Sequence, residues 1–480
     1  MIKLFNKLLA SNKFCFRFLF LWLIILSILY SLLAILKHNH FQSGGFDLGI
    51  FDQAVWQYAH FLNPYSTIKE MFILGDHLTL TLPLLSPLFW IWEDVRMLLV
   101  FQAFWLTLSS IAVYKLCQVK KFSPFVSLIL TTIYSLFYSI QFTVFFDFHP
   151  VIIAAGLFPW LAYFIEVKNK KLLIITTTLI FLTQENMGIA VISLAVIYLF
   201  KKEHRKIAFG LIMTGIIYSI ISLAIISRFS TIGYEYKPKV ESNPVRIVAS
   251  LFDKDEKLQS WGYTLSSFSF LPLLYPPSLL SITIDFSQYY VTGPAFSRMW
   301  SPFTHHRVLL STFVLLGTLE ALLIFKKRKT VDIRILTILL LISALFQQYY
   351  FHFPLNKLSK ADFWKSEDWM SDNRNMIDSI SKKTSLASQQ NLVPHLSHRK
   401  EIYIVYPRRH DKKGNCINCW WLEFAGKPEY MVLDLHPNQT ITQLLESNEN
   451  FESAVNNMEN AKKIIKVKNI NHVYLYKINY

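Results

Sequence analysis

Acidic and imidazole side chains recur where the long apolar stretches of this chain stop, and those residues could carry chemistry. Asp47 and Asp52 stand in the run Gly44-Gly45-Phe46-Asp47-Leu48-Gly49-Ile50-Phe51-Asp52-Gln53, just past the first apolar stretch. A carboxylate there can take the proton of an acceptor hydroxyl. The plainer alternative is a helix N-cap for Asp47, which follows two glycines, and a solvated face for Asp52. Asp76 and His77 follow Gly75 and open a proline-rich segment, as contacts to a phosphate or hydroxyl or as another cap. In Asp147-Phe148-His149-Pro150 the proline suits a first helical turn. Capping therefore explains Asp147 or His149 but hardly both. Gln184, Glu185 and Asn186 interrupt an apolar stretch. A carboxylate near the membrane interior costs roughly 2.5–3.5 kcal/mol unless paired or hydrated, so Glu185 points to function or to a buried hydrogen-bond network. His305, His306 and Arg307 precede a later apolar stretch and suit an anionic lipid head group or an interfacial anchor.

The elements that position these groups must be membrane helices. Of the 480 residues, 53% are hydrophobic, 16% aromatic and only 17% charged. Soluble domains carry about 25% charged residues, and apolar runs near the length needed to cross about 30 Å of hydrocarbon recur here. The net charge of +16 does not imply nucleic acid, because outside the tail Lys and Arg cluster in short loops between apolar runs, the positive-inside pattern. The first run is too long for a signal-peptide core and lacks a clear cleavage site, so it reads as an uncleaved span.

Apolar segments at 18–36, 95–119, 124–142, 151–165, 207–226, 308–325 and 335–350 read as spans. Residues 172–200 are too long for one span, and basic clusters at both ends favour a hairpin with Gln184 to Asn186 at its apex, facing a cavity. The proline-broken segments 78–92 and 263–286 read as not crossing completely. The total is about nine transmembrane helices, with the N-terminus inside and the tail outside. Phe51, Val55, Tyr58 and Leu62 lie at helical spacing and suggest an amphipathic helix in the membrane interface. Past His352 the texture changes. A helix is expected over 362–381, and strands over 385–389, 401–406, 430–435, 464–467 and 472–478. The division is a transmembrane domain at 1–352, with outer loop 37–94, and a small extracytoplasmic α/β domain at 353–480.

No phosphate-binding glycine loop, nucleophile elbow or zincin helix occurs. Cys416 and Cys419 form a single Cys-x-x-Cys without the second ligand pair of a structural zinc site, leaving an inert loop or local disulfide, a metal or a redox role open. No cofactor is called for, and a divalent metal stays open.

The Phe46–Gln53 run, Asp76-His77, Asp147-Phe148-His149-Pro150 and, in the tail, Leu392-Val393-Pro394-His395-Leu396-Ser397-His398-Arg399 resemble the prokaryotic membrane family DUF2079 (domain of unknown function 2079). That family in turn resembles the GT-C glycosyltransferases, multi-span enzymes such as protein mannosyltransferases and the aminoarabinose transferases of lipid A. The resemblance implies a polyprenyl-phosphate sugar donor and a catalytic Asp in the first outer loop, best matched by Asp47 and next by Asp52. GT-C hairpins often carry a Lys near the apex. Here the apex holds Glu185, so the charge for a lipid phosphate would fall to His306 or Arg307.

The leading expectation is inverting sugar transfer at the outer membrane face. Asp47 would act as base, His77, His149 and His306-Arg307 would hold the donor phosphate, and Glu185 with Asn186 would orient the sugar or Asp47. The same outward cavity would also serve a transporter or flippase of a lipid-linked or anionic solute, and a non-catalytic anchor presenting the tail is the third alternative. The sugar and the acceptor are not named by any motif.

Overall fold

The computed structural model describes residues 10–230, 236, 243–329, 331–406, 421–437 and 448–480. Cys416 and Cys419 lie outside the described residues.

Five helices are long and apolar enough to cross a membrane: Asn12–Asn39, Arg96–Val119, Arg205–Phe229, His305–Arg328 and Ile333–Tyr350. A sixth span arises if Pro124–Ser135 and Tyr138–Phe146, bent by 40° at their junction, are taken together. The chain is thus a polytopic α-helical membrane protein, but with five or six such helices among the described residues where the sequence suggests about nine. The difference is one of length. Val151–Glu166, Lys170–Phe181 and Met187–Leu199 have 16, 12 and 13 residues. At about 1.5 Å per residue none alone covers about 30 Å of hydrocarbon. The polar apex Gln184 to Asn186 falls in the break between the last two helices, as the hairpin reading required. The proline-rich segment 78–92 forms only the short helical stretch Leu82–Ile91.

The expected helix exists as Ile50–Ala59, and most of it is covered by protein. Ile50, Phe51, Asp52, Gln53, Ala54, Val55, Gln57 and Ala59 are all buried. Its polar side chains face protein: Asp52 takes hydrogen bonds from Ser397 and His398 of the tail, and the Gln53 amide bonds Thr67 Oγ1 at 2.8 Å.

Two short strands, β1 (Tyr65–Ser66) and β2 (Met71–Phe72), form a hairpin in the loop after that helix. The tail holds β3 (Leu386–Ser388), β4 (Ile402–Ile404), β5 (Tyr430–Asp434), β6 (Ile464–Ile470) and β7 (Val473–Ile478), in the order β4-β3-β5-β7-β6. β3 is parallel to β4 and β5, whereas β7 is antiparallel to β5 and β6. All five fall where the strand-like runs lie. β3, β4 and β5 are buried on both faces, and alternate residues go to different cores, whereas β6 at the other edge is largely exposed. Ala387, Tyr403, Met431, Leu433 and Tyr476 join Phe451 and Val455 of the helix Asn448–Asn460. Leu386, Ile402, Ile404, Val432 and Val473 join one core that runs on through Trp369 and Met376 into the membrane helices.

β4 lies at the sheet edge, where unpaired backbone groups are a liability. Thr67 answers it: its hydroxyl donates to Ile402 O at 2.7 Å and accepts from Ile402 N at 2.9 Å. A side chain of the outer loop thereby substitutes for a sixth strand. Thr67→Val keeps the shape and leaves both backbone groups and the Gln53 amide short of a partner. The expected loss is about 1–3 kcal/mol, read as a lower thermal transition of the detergent-solubilised protein and faster proteolysis of the tail. An unchanged transition would mean that the tail is not held through this contact.

Candidate functional site

A cavity of about 1140 Å3 lies where the ends of the helices meet the tail. Five separate stretches bring Asp47, Asp76, His77, His149, Gln184, Glu185, Asn186 and His306 to its wall. Asp47 rides on a wide helical turn, Gly45–Gly49, closed by Gly49 N donating to Gly44 O at 3.2 Å. Asp76 and His77 end the one-turn helix Ile73–Asp76, and His149 precedes the helix Val151–Glu166. His306 sits in the turn His305–Arg307, which leads into the span that follows.

Two polar groups divide the wall. In the first, His77 Nδ1 is 2.8 Å from Glu185 Oε1, and Leu78 N donates to Glu185 Oε2 at 3.1 Å. Gln184 Nε2 stands 3.1 Å from the same imidazole nitrogen. Burial alone would lower the pKa of His77, but the charges of Glu185 and Asp76 outweigh it and carry it up to about 9. Near neutral pH this is an imidazolium–carboxylate pair. Asp76 is likewise paired, with Lys69 at 3.1 Å.

In the second group His149 Nε2 is 3.3 Å from Asp47 Oδ1. The His149 ring stacks on His305 with centroids 3.6 Å apart, and His305 meets His306 at 4.0 Å. The Nδ1 atoms of His149 and His305 are buried without a hydrogen-bond partner. His306 Nδ1 is 3.1 Å from Thr304 Oγ1. Asn186, next to Glu185 in the chain, donates to Gln288 Oε1 at 3.3 Å and to the Tyr289 hydroxyl at 3.2 Å. Asp47 remains the exposed acid, its side chain 30% accessible.

Three expected site residues are placed elsewhere. Asp52 is fully buried and joins Ser397 and His398, with His398 Nε2 at 3.1 Å. Burial would lower the pKa of His398, but Asp52 outweighs it and raises it, and the contact clamps the tail. Asp147 is buried against Lys37 at 3.1 Å and accepts from Gly44 N at 2.9 Å. Arg307 is buried among the rings of Phe286, Tyr289 and Tyr290 and donates to Met299 O. Asp147 and Arg307 thus hold the elements that carry Asp47 and His306.

Sequence reasoning missed Lys69, Arg298, Gln390 and Tyr406, all on the cavity wall. Lys69 and Arg298 are lone cations in loops that the positive-inside count treats as noise. Gln390 and Tyr406 follow strands β3 and β4 directly, a position that becomes informative only when those strands are known to be parallel neighbours. Among the described residues no group of three or more His, Cys, Asp or Glu side chains is arranged to hold a metal ion.

Spanning helices, a cavity at their ends that gathers ionisable side chains and an α/β tail define a multi-pass membrane protein. The chain belongs to the family of predicted membrane proteins DUF2079, whose model matches residues 37–458. No curated protein matches it. Among solved structures it is similar to ArnT from Cupriavidus metallidurans bound to undecaprenyl phosphate, at 9% identity and a TM-score of 0.48, covering 94% of this chain and 97% of that chain.

The His77–Glu185 pair has a pH signature. The pKa of His77 is raised on folding, so the pair's stabilisation is complete below the ordinary imidazole range and disappears as pH rises through about 9. The thermal transition in detergent should fall across that window, and Glu185→Gln should flatten the fall. An equal fall in both proteins would show that the pair does not govern it.

Proposed function

We propose that the protein transfers a sugar from a polyprenyl-phosphate donor to a hydroxyl acceptor, with inversion, at the extracytoplasmic face of the cell membrane. The observation that carries this reading is the convergence of Asp47, His77, His149, Glu185 and His306 on one cavity. The donor class comes from the GT-C resemblance of the motifs. Residues 1–352 form the membrane domain in this proposal, and 353–480 the domain outside. Orientation follows from charge: the span His305–Arg328 starts at the cavity and ends at Lys326, Lys327 and Arg328, about 36 Å away at 1.5 Å per residue. Such clusters tend to stay in the cytoplasm, which supports an outward-facing cavity.

On this reading Asp47 takes the proton of the acceptor hydroxyl as its oxygen bonds to the anomeric carbon. The bond from that carbon to the phosphate oxygen breaks, and its electron pair leaves with the phosphate. Charge-assisted hydrogen bonds from the His77 imidazolium and from His306 stabilise the departing phosphate. His149 contacts Asp47 directly and lies between base and phosphate. Glu185 keeps His77 charged, so the cation that GT-C hairpins often carry at the apex stands one hydrogen bond away. Asn186 is set to orient the sugar.

The test uses the full chain in lipid nanodiscs with an undecaprenyl-phosphate-linked sugar and measures release of the sugar to water, which stands in for the acceptor hydroxyl. Asp47→Asn should lower turnover by about 10²–10⁴-fold, the usual share of a general base, while the thermal transition stays close to that of the wild type. Full turnover in this variant would reject Asp47 as base. Vectorial uptake of intact lipid-linked sugar into proteoliposomes, without cleavage, would overturn the transfer reading.

A further inference from the structure

The tail contributes to the cavity at one place, and its topology is informative. β3 lies between two parallel neighbours, with Ser388 opposite Ile404 on one side and Val432 on the other. The chain leaves β3 for β4 on one side and returns to β5 on the opposite side. That is a switch point, and open α/β sheets bind ligands outside the carboxyl ends of their strands at such points. Gln390 follows the carboxyl end of β3 and Tyr406 that of β4, and both line the cavity. The ladder is still in register here, because Val405 N donates to Ser388 O at 2.9 Å.

The neighbouring glutamines differ in what they are free to do. Gln389 is fully engaged with β5: its Nε2 donates to Asp434 O at 3.0 Å and its Oε1 accepts from Asp434 N at 2.6 Å. Gln390 has a buried Oε1 with no hydrogen-bond partner. Its amide lies against the turn that carries Asp47. A Cβ built on Gly44 would stand 3.0 Å from Gln390 Nε2 and 3.0 Å from Asp47 Oδ2. Glycine at 44 therefore lets a tail amide and the candidate base sit side by side. Beside them, Phe46 and Tyr406 meet edge to face with centroids 5.7 Å apart.

We infer that Phe46, Asp47, Gln390 and Tyr406 form the acceptor subsite, and that the acceptor is a saccharide. The chemistry of the four groups selects that class. A carboxamide both donates to and accepts from vicinal hydroxyls, a carboxylate accepts from one of them, and aromatic rings pack on the apolar C–H face of a pyranose. All four line the cavity that His77 and His306 also line, which is where the proposed mechanism needs the attacking hydroxyl. The inference rests on the transfer reading for the word acceptor, but not for the prediction that the site binds sugar.

Saturation-transfer NMR on the full chain in nanodiscs tests it, with methyl α-glucoside, methyl α-mannoside and methyl β-N-acetylglucosaminide as probes. At least one should bind the wild type, and affinity should fall about tenfold in Gln390→Ala, the size of one lost hydrogen bond, and likewise in Tyr406→Ala. Thermal unfolding checks that each variant is folded. If Gln390→Ala does not fold, Gln390→Glu, which keeps the size and the accepting oxygen, should bind more weakly than the wild type. Binding that survives undiminished in the folded variants, binding by none of the glycosides, or displacement only by a serine-containing peptide would overturn the subsite. Sugar release from the polyprenyl-phosphate donor is scored separately. Release without glycoside binding removes the saccharide subsite alone, whereas glycoside binding without release removes the transfer reading alone.

Discussion

Lys37 ends the first span with a charge that must find a partner, and the partner it finds organises the site. Its ammonium pairs with Asp147 at 3.1 Å and donates to Phe146 O. The second carboxylate oxygen of Asp147 accepts from Gly44 N at 2.9 Å, and the next amide, Gly45 N, donates to Gln390 O at 2.8 Å. One ion pair thus joins the first span, the turn before Val151 and the tail to the two glycines that precede Asp47. Burial raises the pKa of Asp147, with Lys37 opposing and Asp47 adding to the rise. Breaking a buried pair leaves an uncompensated charge, at a cost of about 3–5 kcal/mol. Gly45 is closely packed as well: a Cβ there would stand 2.8 Å from Ile404 Cδ1 and 3.0 Å from Val393, so that the Ile404 side chain would have to shift.

The opposite ends of the helices are built differently. There Lys120 and Lys201 share Glu166 and Glu320 at 2.6–3.1 Å, two cations against two anions. His204 adds a contact to Glu166 at 3.4 Å. That cluster is balanced in charge and ties together the ends of helices distant in sequence. The cavity gathers several buried polar atoms that protein alone leaves unsatisfied, Nδ1 of His149 and His305, Oδ1 of Asn186 and Oε1 of Gln390, where the opposite cluster has Nδ1 of His204. Buried polar groups are nearly always hydrogen-bonded, so such a gathering is what a wall looks like when its partner is a ligand or water.

What could be read in the sequence was what depends on neighbours along the chain. Strands of the tail, the broken hairpin at Glu185 and the failure of 78–92 to make a span all follow from local apolar runs and prolines. The number of long helices was less legible, because apolarity marks 151–165 and 172–200 without showing that each helix within them is short. The surroundings of Ile50–Ala59 were illegible for another reason. Its helical spacing is real, but the same period describes a helix lying on lipid and one roofed by protein. Partners far apart in the chain decide between them, as Asp52 with His398 and Gln53 with Thr67 do here. The same limit governed the site. Asp47, His77, His149 and Glu185 stood out as ionisable residues at apolar boundaries, yet only the fold pairs His77 with Glu185 and sends Asp52 away from the cavity.

The tail is consequently not a separate module carried by a membrane stalk. One face of its sheet belongs to the core that continues into the spans, its edge strand is completed by Thr67, and His395 stacks on His38 of the first span at 3.9 Å. An anchor needs none of this, since a flexible tether presents a domain equally well. Docking of this extent holds residues after β3 and β4 in register with Asp47, and such register matters when two reacting groups must be held within ångströms. A tail so fixed can shape one side of a cavity while the membrane helices shape the other. On the transfer reading, the membrane helices would meet the apolar part of a substrate, and the residues that follow β3 and β4 its hydroxyls.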